Sequence, residues 1–405
     1  MKKILILLLF TLVWQNVDAQ VPTRWRATVQ TDGGDLPFGL EIKPTKNKNK
    51  FDVFVLNASE RFKTDEATLS GDSLIIPIAI FDAEIVAKKN AQTLVGFYRK
   101  NKGRTSFAQS PFQATLGYPF RFRTNKMSIL GNTSGKWSVN FINAETQKAS
   151  FAVGTFQQKG TVVTGSFLTT TGDYRYMDGN IVGDSLFLST FDGSHAFLLK
   201  AKVEGDKISG KFYGGIKGFR MFEATRDENA SLPDLGKITH LKEGYERFDF
   251  SFLNEKGEKI SLSDDAYKGK VVVVQILGSW CPNCMDETNY LVPFYKKNKA
   301  RGFEVIGLAY EKSTEPTFFK QKMDLLRKRF GIDYQLLNAG TNSSESASKS
   351  LPSLNQVIGF PTTIVLDKKG EIRLTHAGFS GPGTGKYYTD WVHEFESKID
   401  ELIKE

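Results

Sequence analysis

Residues 270–284 read KVVVVQILGSWCPNC, and this stretch decides the fold of the carboxy-terminal part of the chain. Val271-Val272-Val273-Val274 opens a continuous apolar run to Leu277, the pattern of a strand buried on both faces. The run ends near Gly278, and a helix is predicted to follow at once, through Asn298. Cys281 then falls at the cap position. Pro282 takes the first helical position, where its missing N–H costs nothing. The free amides of Asn283 and Cys284 point at the sulfur of Cys281, and the positive end of the helix dipole adds to them. A thiol in such a setting falls to a pKa of about 3.5–7.5, against about 8.5 when free. Cys281 is therefore the expected nucleophile, and Cys284, one turn inside, the expected resolving thiol.

The chain has two cysteines, and both are in this motif. A structural staple would span a loop; a CxxC pair closes almost none, so its purpose is chemical. The competing reading is half of a zinc site. That needs two further ligands, and the histidines (His195, His240, His376 and His393) are dispersed. His376 follows a strand of the same region and reads as a surface or loop histidine rather than as a copper ligand beside the cysteines. No metal and no cofactor are expected.

Outward from the motif, Phe248 to Phe252 alternates as a strand and Phe303 to Ala309 is a second apolar strand. Pro316 to Phe330 reads as a helix capped by Ser313 or Thr314. Thr362 to Leu366 and Glu371 to Thr375 form a hairpin across Asp367-Lys368-Lys369-Gly370, and Tyr388 to Lys404 is a final helix. Strands alternating with helices make residues 247–405 an α/β domain.

The amino-terminal side differs. From about Trp25 to Phe222 short β-branched or aromatic runs alternate with turn signals such as Asp32-Gly33-Gly34 and Ser70-Gly71-Asp72. The region also repeats itself. Gly71-Asp72-Ser73-Leu74 recurs as Gly183-Asp184-Ser185-Leu186, with Phe81-Asp82 and Phe191-Asp192 following. Gly96-Phe97-Tyr98 and Gly210-Lys211-Phe212-Tyr213 close the two units, which Trp25 and Trp137 open. Residues 20–223 are thus an antiparallel all-β domain with an internal duplication, about 24–103 and 136–222. The expectation is one barrel or sandwich built from both units, because a long meander must hide its edges. Residues 224–246, polar and turn-rich, read as a linker.

Lys2 and Lys3, the apolar run Ile4 to Trp14 and Val17-Asp18-Ala19 have the form of a signal peptide, residues 1–19, cleaved near Ala19. The apolar run is too short to span a bilayer. The mature protein is expected in the periplasm or another exported compartment, without a stable membrane span. Its formal charge is +9, but the lysines are scattered through turns, so no nucleic-acid partner is expected.

Trp280-Cys281-Pro282-Asn283-Cys284 resembles the WCxxC active site of the thioredoxin superfamily. Phe248-Asp249-Phe250, Leu262-Ser263-Asp264, Gly269-Lys270 and the valine strand, all before the site, resemble its exported TlpA/ResA-like branch. Glu287 matches a glutamate that this branch often carries three residues after the second cysteine. Gly359-Phe360-Pro361-Thr362-Thr363 matches a loop whose proline is cis and packs beside the disulfide. The resemblance covers roughly residues 245–405. It implies that Phe360, ahead of Pro361, offers its backbone to a partner's polypeptide, and that Trp280 shields the disulfide. Two departures stand out. Gln275 occupies the place of a buried acid six residues before the first cysteine, so proton handling falls to water, to Glu287 or to neither. Asn289 stands where the helix usually has a proline, and Pro293 comes later.

The sequence therefore predicts a thiol–disulfide oxidoreductase acting on protein disulfides or dithiols, with an upstream electron donor or acceptor. One alternative is a barrel that binds a small apolar ligand or a partner, with an accessory redox domain. The other is a redoxin-type peroxidase, which the residues Gly278-Ser279-Trp280 before Cys281 disfavour.

Overall fold

A computed structural model describes residues 24–101, 107–117, 120–123 and 129–405. The signal-peptide reading lies outside the described residues. Within them, no helix is long and apolar enough to cross a membrane.

The two repeat units do not share one barrel. Each closes a barrel of its own, which corrects the expectation of a single barrel or sandwich. The strands between Arg24 and Leu116 form a nine-stranded sheet, closed where its first strand, Arg24–Thr31, pairs with its last, Phe107–Leu116. The strands between Gly135 and Arg226 repeat that order, closed where Gly135–Asn143 pairs with Arg220–Arg226. Closure within one unit removes the edges that a second unit was expected to cover. Strands alternate buried and less buried residues, as in Ser73–Ile78, and the repeat motifs hold equivalent places. Gly71 and Gly183 make the same left-handed turn, at φ +60 and +62. Trp25 and Trp137, Leu74 and Leu186, and Phe81 and Phe191 are all buried. Gly96 and Gly210 lie where a Cβ would meet the backbone of the neighbouring strand. The second barrel is filled by Trp137, Phe141, Phe156, Phe167, Phe212 and Phe222, which gives an apolar ligand inside it no support.

The barrels pack on each other through Phe38 and Phe191, whose rings stack at 4.2 Å. Ser189 Oγ donates to the Pro37 carbonyl at 2.7 Å, and Asn57 Nδ2 donates to the Phe191 carbonyl at 2.8 Å.

The carboxy-terminal region is a seven-stranded mixed sheet. Its strands, in spatial order, are Lys259–Ser261, Ser251–Asn254, Gln335–Thr341, Phe303–Glu311, Val271–Leu277, Thr362–Leu366 and Ile372–Ala377. Val271–Leu277 is buried along its whole length, parallel to Phe303–Glu311 and antiparallel to Thr362–Leu366. Helices α1 (Pro282–Asn298), α2 (Pro316–Phe330), α3 (Ser344–Ser350) and α4 (Lys386–Lys404) complete it. Helix α4 buries Trp391, Phe395, Ile399 and Leu402, one stripe at helical spacing.

Three local expectations shift. The first strand is Ser251–Asn254 rather than 248–252, because Phe248 and Phe250 are buried in the core just before it. Neither Ser313 nor Thr314 caps α2; Glu315 holds the cap position, and Ser313 Oγ accepts from its amide at 3.2 Å. Most of the polar segment expected as a linker is strapped to the α/β domain. Thr375 Oγ1 donates to the carbonyls of Gly236 and Thr239, the Lys242 amide donates to Ser353, and Leu241 bridges Leu354.

Candidate active site

The end of the valine strand and the start of α1 hold the two cysteines as the sequence predicts. Cys281 is the N-cap residue in extended conformation, and its sulfur accepts from the Cys284 amide at 3.2 Å. Pro282 begins the helix. The cysteines are joined as a disulfide. Cys284 is fully buried, and Cys281 is only 6% exposed. The Phe360–Pro361 peptide is cis, and the Phe360 carbonyl oxygen lies 3.5 Å from the Cys281 sulfur. The Trp280 ring meets the Phe360 ring edge-on at 5.3 Å, and its indole N–H donates to the Tyr310 carbonyl at 2.8 Å. Trp280, Pro282, Phe360 and Pro361 therefore surround the disulfide together.

Gln275 and Glu287 form one buried network behind Cys284. Gln275 Nε2 donates to Glu287 Oε2 at 2.8 Å and lies 3.5 Å from the Cys284 carbonyl. Thr363 Oγ1 donates to the other Glu287 oxygen. Burial pushes the Glu287 carboxyl up to about 7, although the hydrogen bonds from Thr363 and Gln275 oppose that shift. Gln275 thus does not replace a buried acid. It orients one supplied from the helix.

His376 lies within the strand Ile372–Ala377 rather than after a strand, and it is partly buried. Burial lowers its pKa, its Nδ1 lies 3.0 Å from the Gly378 carbonyl, and it packs edge-on against Trp391. Among the described residues no cluster of histidine, cysteine and carboxylate side chains could hold a metal.

Sequence reasoning missed that the second barrel reaches over the cysteines. Its turn at Thr169–Gly172 leads to Asp173, whose carbonyl accepts from Asn283 Nδ2 at 3.0 Å and whose carboxylate accepts from the Gly381 amide at 2.6 Å. A Cβ on Gly359 would strike Thr171, and one on Gly378 would strike the backbone of Gly172. Ser194 Oγ donates to the Trp280 carbonyl at 3.3 Å.

Arg175 follows, 4% exposed and in the left-handed region at φ +56. Its guanidinium donates to the Pro282 carbonyl at 3.2 Å and pairs with Asp286 of α1, with Glu60 of the first barrel and, at 3.3 Å, with Asp192 of its own barrel. Asp192 also pairs with His195 at 3.0 Å. Burial pushes Asp286 up to about 7; Arg175 opposes this, while Asp173, Glu60 and Asp192 add to it. The only warning in the sequence was the repeated Phe-Asp, whose aspartates prove to be Asp82 and Asp192. Asp82 pairs with Lys312 and Lys322 of the α/β domain.

Residues 233–390 match the family model described as Redoxin. Thiol-disulfide oxidoreductase ResA of Bacillus thuringiensis is 27% identical over 161 residues, 39% of this chain and 78% of that protein. Thioredoxin-like protein YneN of Bacillus subtilis is 25% identical over 164 residues, 40% of this chain and 82% of that protein. The thioredoxin domain of a thiol-disulfide oxidoreductase from Bacteroides vulgatus is 24% identical, covering 38% of this chain and 99% of that one, with a TM-score of 0.29. With a redoxin match over residues that contain the cysteine motif, and with relatives of the ResA kind, the chain carries a TlpA/ResA-like domain of the thioredoxin superfamily and is an oxidoreductase.

Proposed function

We propose that the protein is an exported thiol–disulfide oxidoreductase that exchanges electrons with protein disulfides through Cys281 and Cys284. The observation that carries this is the cap geometry: a sulfur at a helix N-terminus, 3.2 Å from the Cys284 amide and beside the Phe360–Pro361 loop. That amide and the helix dipole favour the thiolate, which makes Cys281 the attacking group in the reduced protein. The Cys281 thiolate attacks one sulfur of a substrate disulfide, whose S–S bond breaks and whose other sulfur leaves as a thiolate. Cys284 then loses its proton and attacks the Cys281 sulfur. The Cys281–Cys284 bond forms, and the substrate departs with two electrons gained, its two thiolates taking up the proton from Cys284 and a second from solvent. Run backwards, the same steps oxidise a partner.

In this reading Glu287 takes the Cys284 proton. It sits one turn along α1, buried, with its carboxyl at about 7, where an acid–base group works best near neutral pH. Trp280 and Phe360 form the apolar walls, and the Phe360 backbone is the docking edge. Export rests on the form of residues 1–19.

The test uses reduced full-length protein and a disulfide-linked peptide. Wild type becomes oxidised, Cys281→Ser is inert, and Cys284→Ser accumulates a mixed disulfide through Cys281. Full turnover by Cys281→Ser would end this reading. A peroxidase reading finds no support around Cys281, because the nearby Arg175 is engaged by three carboxylates.

A further inference from the structure

The second barrel forms one wall of the active site. Between it and the cysteine motif lies a cleft of about 250 Å³. Thr171, Asp173 and His195 line it from the barrel, and Trp280, Cys281 and Asn283 from the α/β domain. The contact is built, not incidental. Gly359 and Gly378 leave room for Thr171 and Gly172 where any side chain would collide. Arg175 ties the wall to α1 at Pro282 and Asp286, and to the first barrel at Glu60. Asn283 lines the cleft from α1, and its Oδ1 is buried and has no partner among the described residues. A buried acceptor left open costs free energy unless something donates to it.

Resting on the proposed exchange chemistry, we infer that the second barrel selects the substrate. The cleft admits a disulfide carried on a short extended peptide, and the wall turns folded protein disulfides away. The volume is below the roughly 300 Å³ at which pockets for drug-sized molecules begin. A folded partner would need about 800 Å² of open surface on this protein, and the wall occupies the loops around Gly359 and Gly378 that would provide it. Arg175 is the latch. It acts by positioning the wall and does not touch the reacting sulfurs.

The experiment follows oxidation of the reduced full-length protein by rapid mixing. Three disulfides are compared: oxidised glutathione, a longer unfolded peptide disulfide, and a small folded protein with one accessible disulfide. Wild type should react at least about tenfold faster with the first or second than with the third. Whichever of the first two is faster names the source of the peptide. Arg175→Ala loosens the wall, and Asp286→Asn, nearly isosteric, removes one partner of the latch without emptying the cluster. Either variant should raise the rate with the folded protein about tenfold while the peptide rate changes by less than about twofold. Asp286→Asn decides the matter if Arg175→Ala does not fold. Equal rates on folded and unfolded disulfides in wild type, or an unchanged ratio in the folded variants, would overturn the inference. No reaction with any disulfide would instead overturn the exchange chemistry on which it stands.

Discussion

The two barrels have the same strand order and the same extra ninth strand, yet only the second covers the cysteines. Their corresponding hairpins show how. In the first barrel Asn57 pairs with Glu60 across a two-residue turn, and in the second Thr169 pairs with Gly172. Counting on from these pairs, Lys63 corresponds to Arg175. Lys63 sits on the surface and pairs with Asp52, both side chains well exposed. Arg175 is buried among three carboxylates from three parts of the molecule. One position in a duplicated fold thus carries a solvated ion pair in one copy and an interdomain junction in the other. A barrel is a closed, filled scaffold, and its turns are free to take on such roles.

The largest effect that could break this comparison is on stability. Arg175→Ala leaves Glu60 buried without its cation, while Asp192 keeps its pair with His195, and breaking a buried pair costs about 3–5 kcal/mol. Lys63→Ala removes an exposed pair and should cost under about 1 kcal/mol. Urea denaturation of both variants checks it. A Lys63→Ala loss as large as that of Arg175→Ala would mean that the buried cluster is not what joins the domains.

A second, smaller contrast uses glycines. Gly71 turns in open space at φ +60, so Gly71→Ala should cost only the left-handed penalty of about 1–2 kcal/mol. Gly172 has φ +129 and lies against Asn283 of α1. Gly172→Ala should cost more than Gly71→Ala by about 1 kcal/mol and should also speed alkylation of Cys281 in the reduced protein. Equal losses and an unchanged alkylation rate would show that the wall does not bear on the site.

The α/β half was legible because its signals are local. A valine run, a Cys-Pro pair at a cap and a Gly-Phe-Pro loop each specify their own surroundings, and the structure brings them together within one site. The duplication was legible for the same reason, since turn glycines and buried aromatics recur in order. Closure of each unit was not. A strand's partner at the seam, such as Arg24–Thr31 with Phe107–Leu116, is decided by register and twist over the whole sheet. The wall over Cys281 was hidden more deeply. Asp173 and Arg175 carry no pattern beyond a polar turn, and they acquire meaning only beside Pro282, Asp286 and Gly381, over a hundred positions away in the chain. Gln275 was legible as an amide at a position where an acid was expected. Its donation to Glu287 needed the helix and strand to be placed side by side.

The smallest expected effect concerns pH, and it separates the two barrels by sign. On the second barrel's side, burial raises Asp286 to about 7, and in the core behind the site Glu287 also stands at about 7. Both values lie above the ordinary carboxylate range, so between about pH 4 and 7 the folded protein holds protons that the unfolded chain has released. Stability from these groups is therefore greatest below that window and is lost as pH rises through 7. On the first barrel's side, burial acts against ionisation of Asp82, but hydrogen bonds from Lys312 and Lys322 outweigh it and lower its pKa. Its contribution is present above the ordinary value and fails only in stronger acid. The melting temperature should thus be a few degrees higher at pH 5.5 than at pH 8. Asp286→Asn, which stays neutral throughout, should flatten that slope, while Asp82→Asn should lower the curve at both pH values and leave its slope unchanged. A slope that Asp82→Asn removes and Asp286→Asn keeps would place the pH-sensitive contact at the first barrel instead, and would take from Arg175 its part in closing the site.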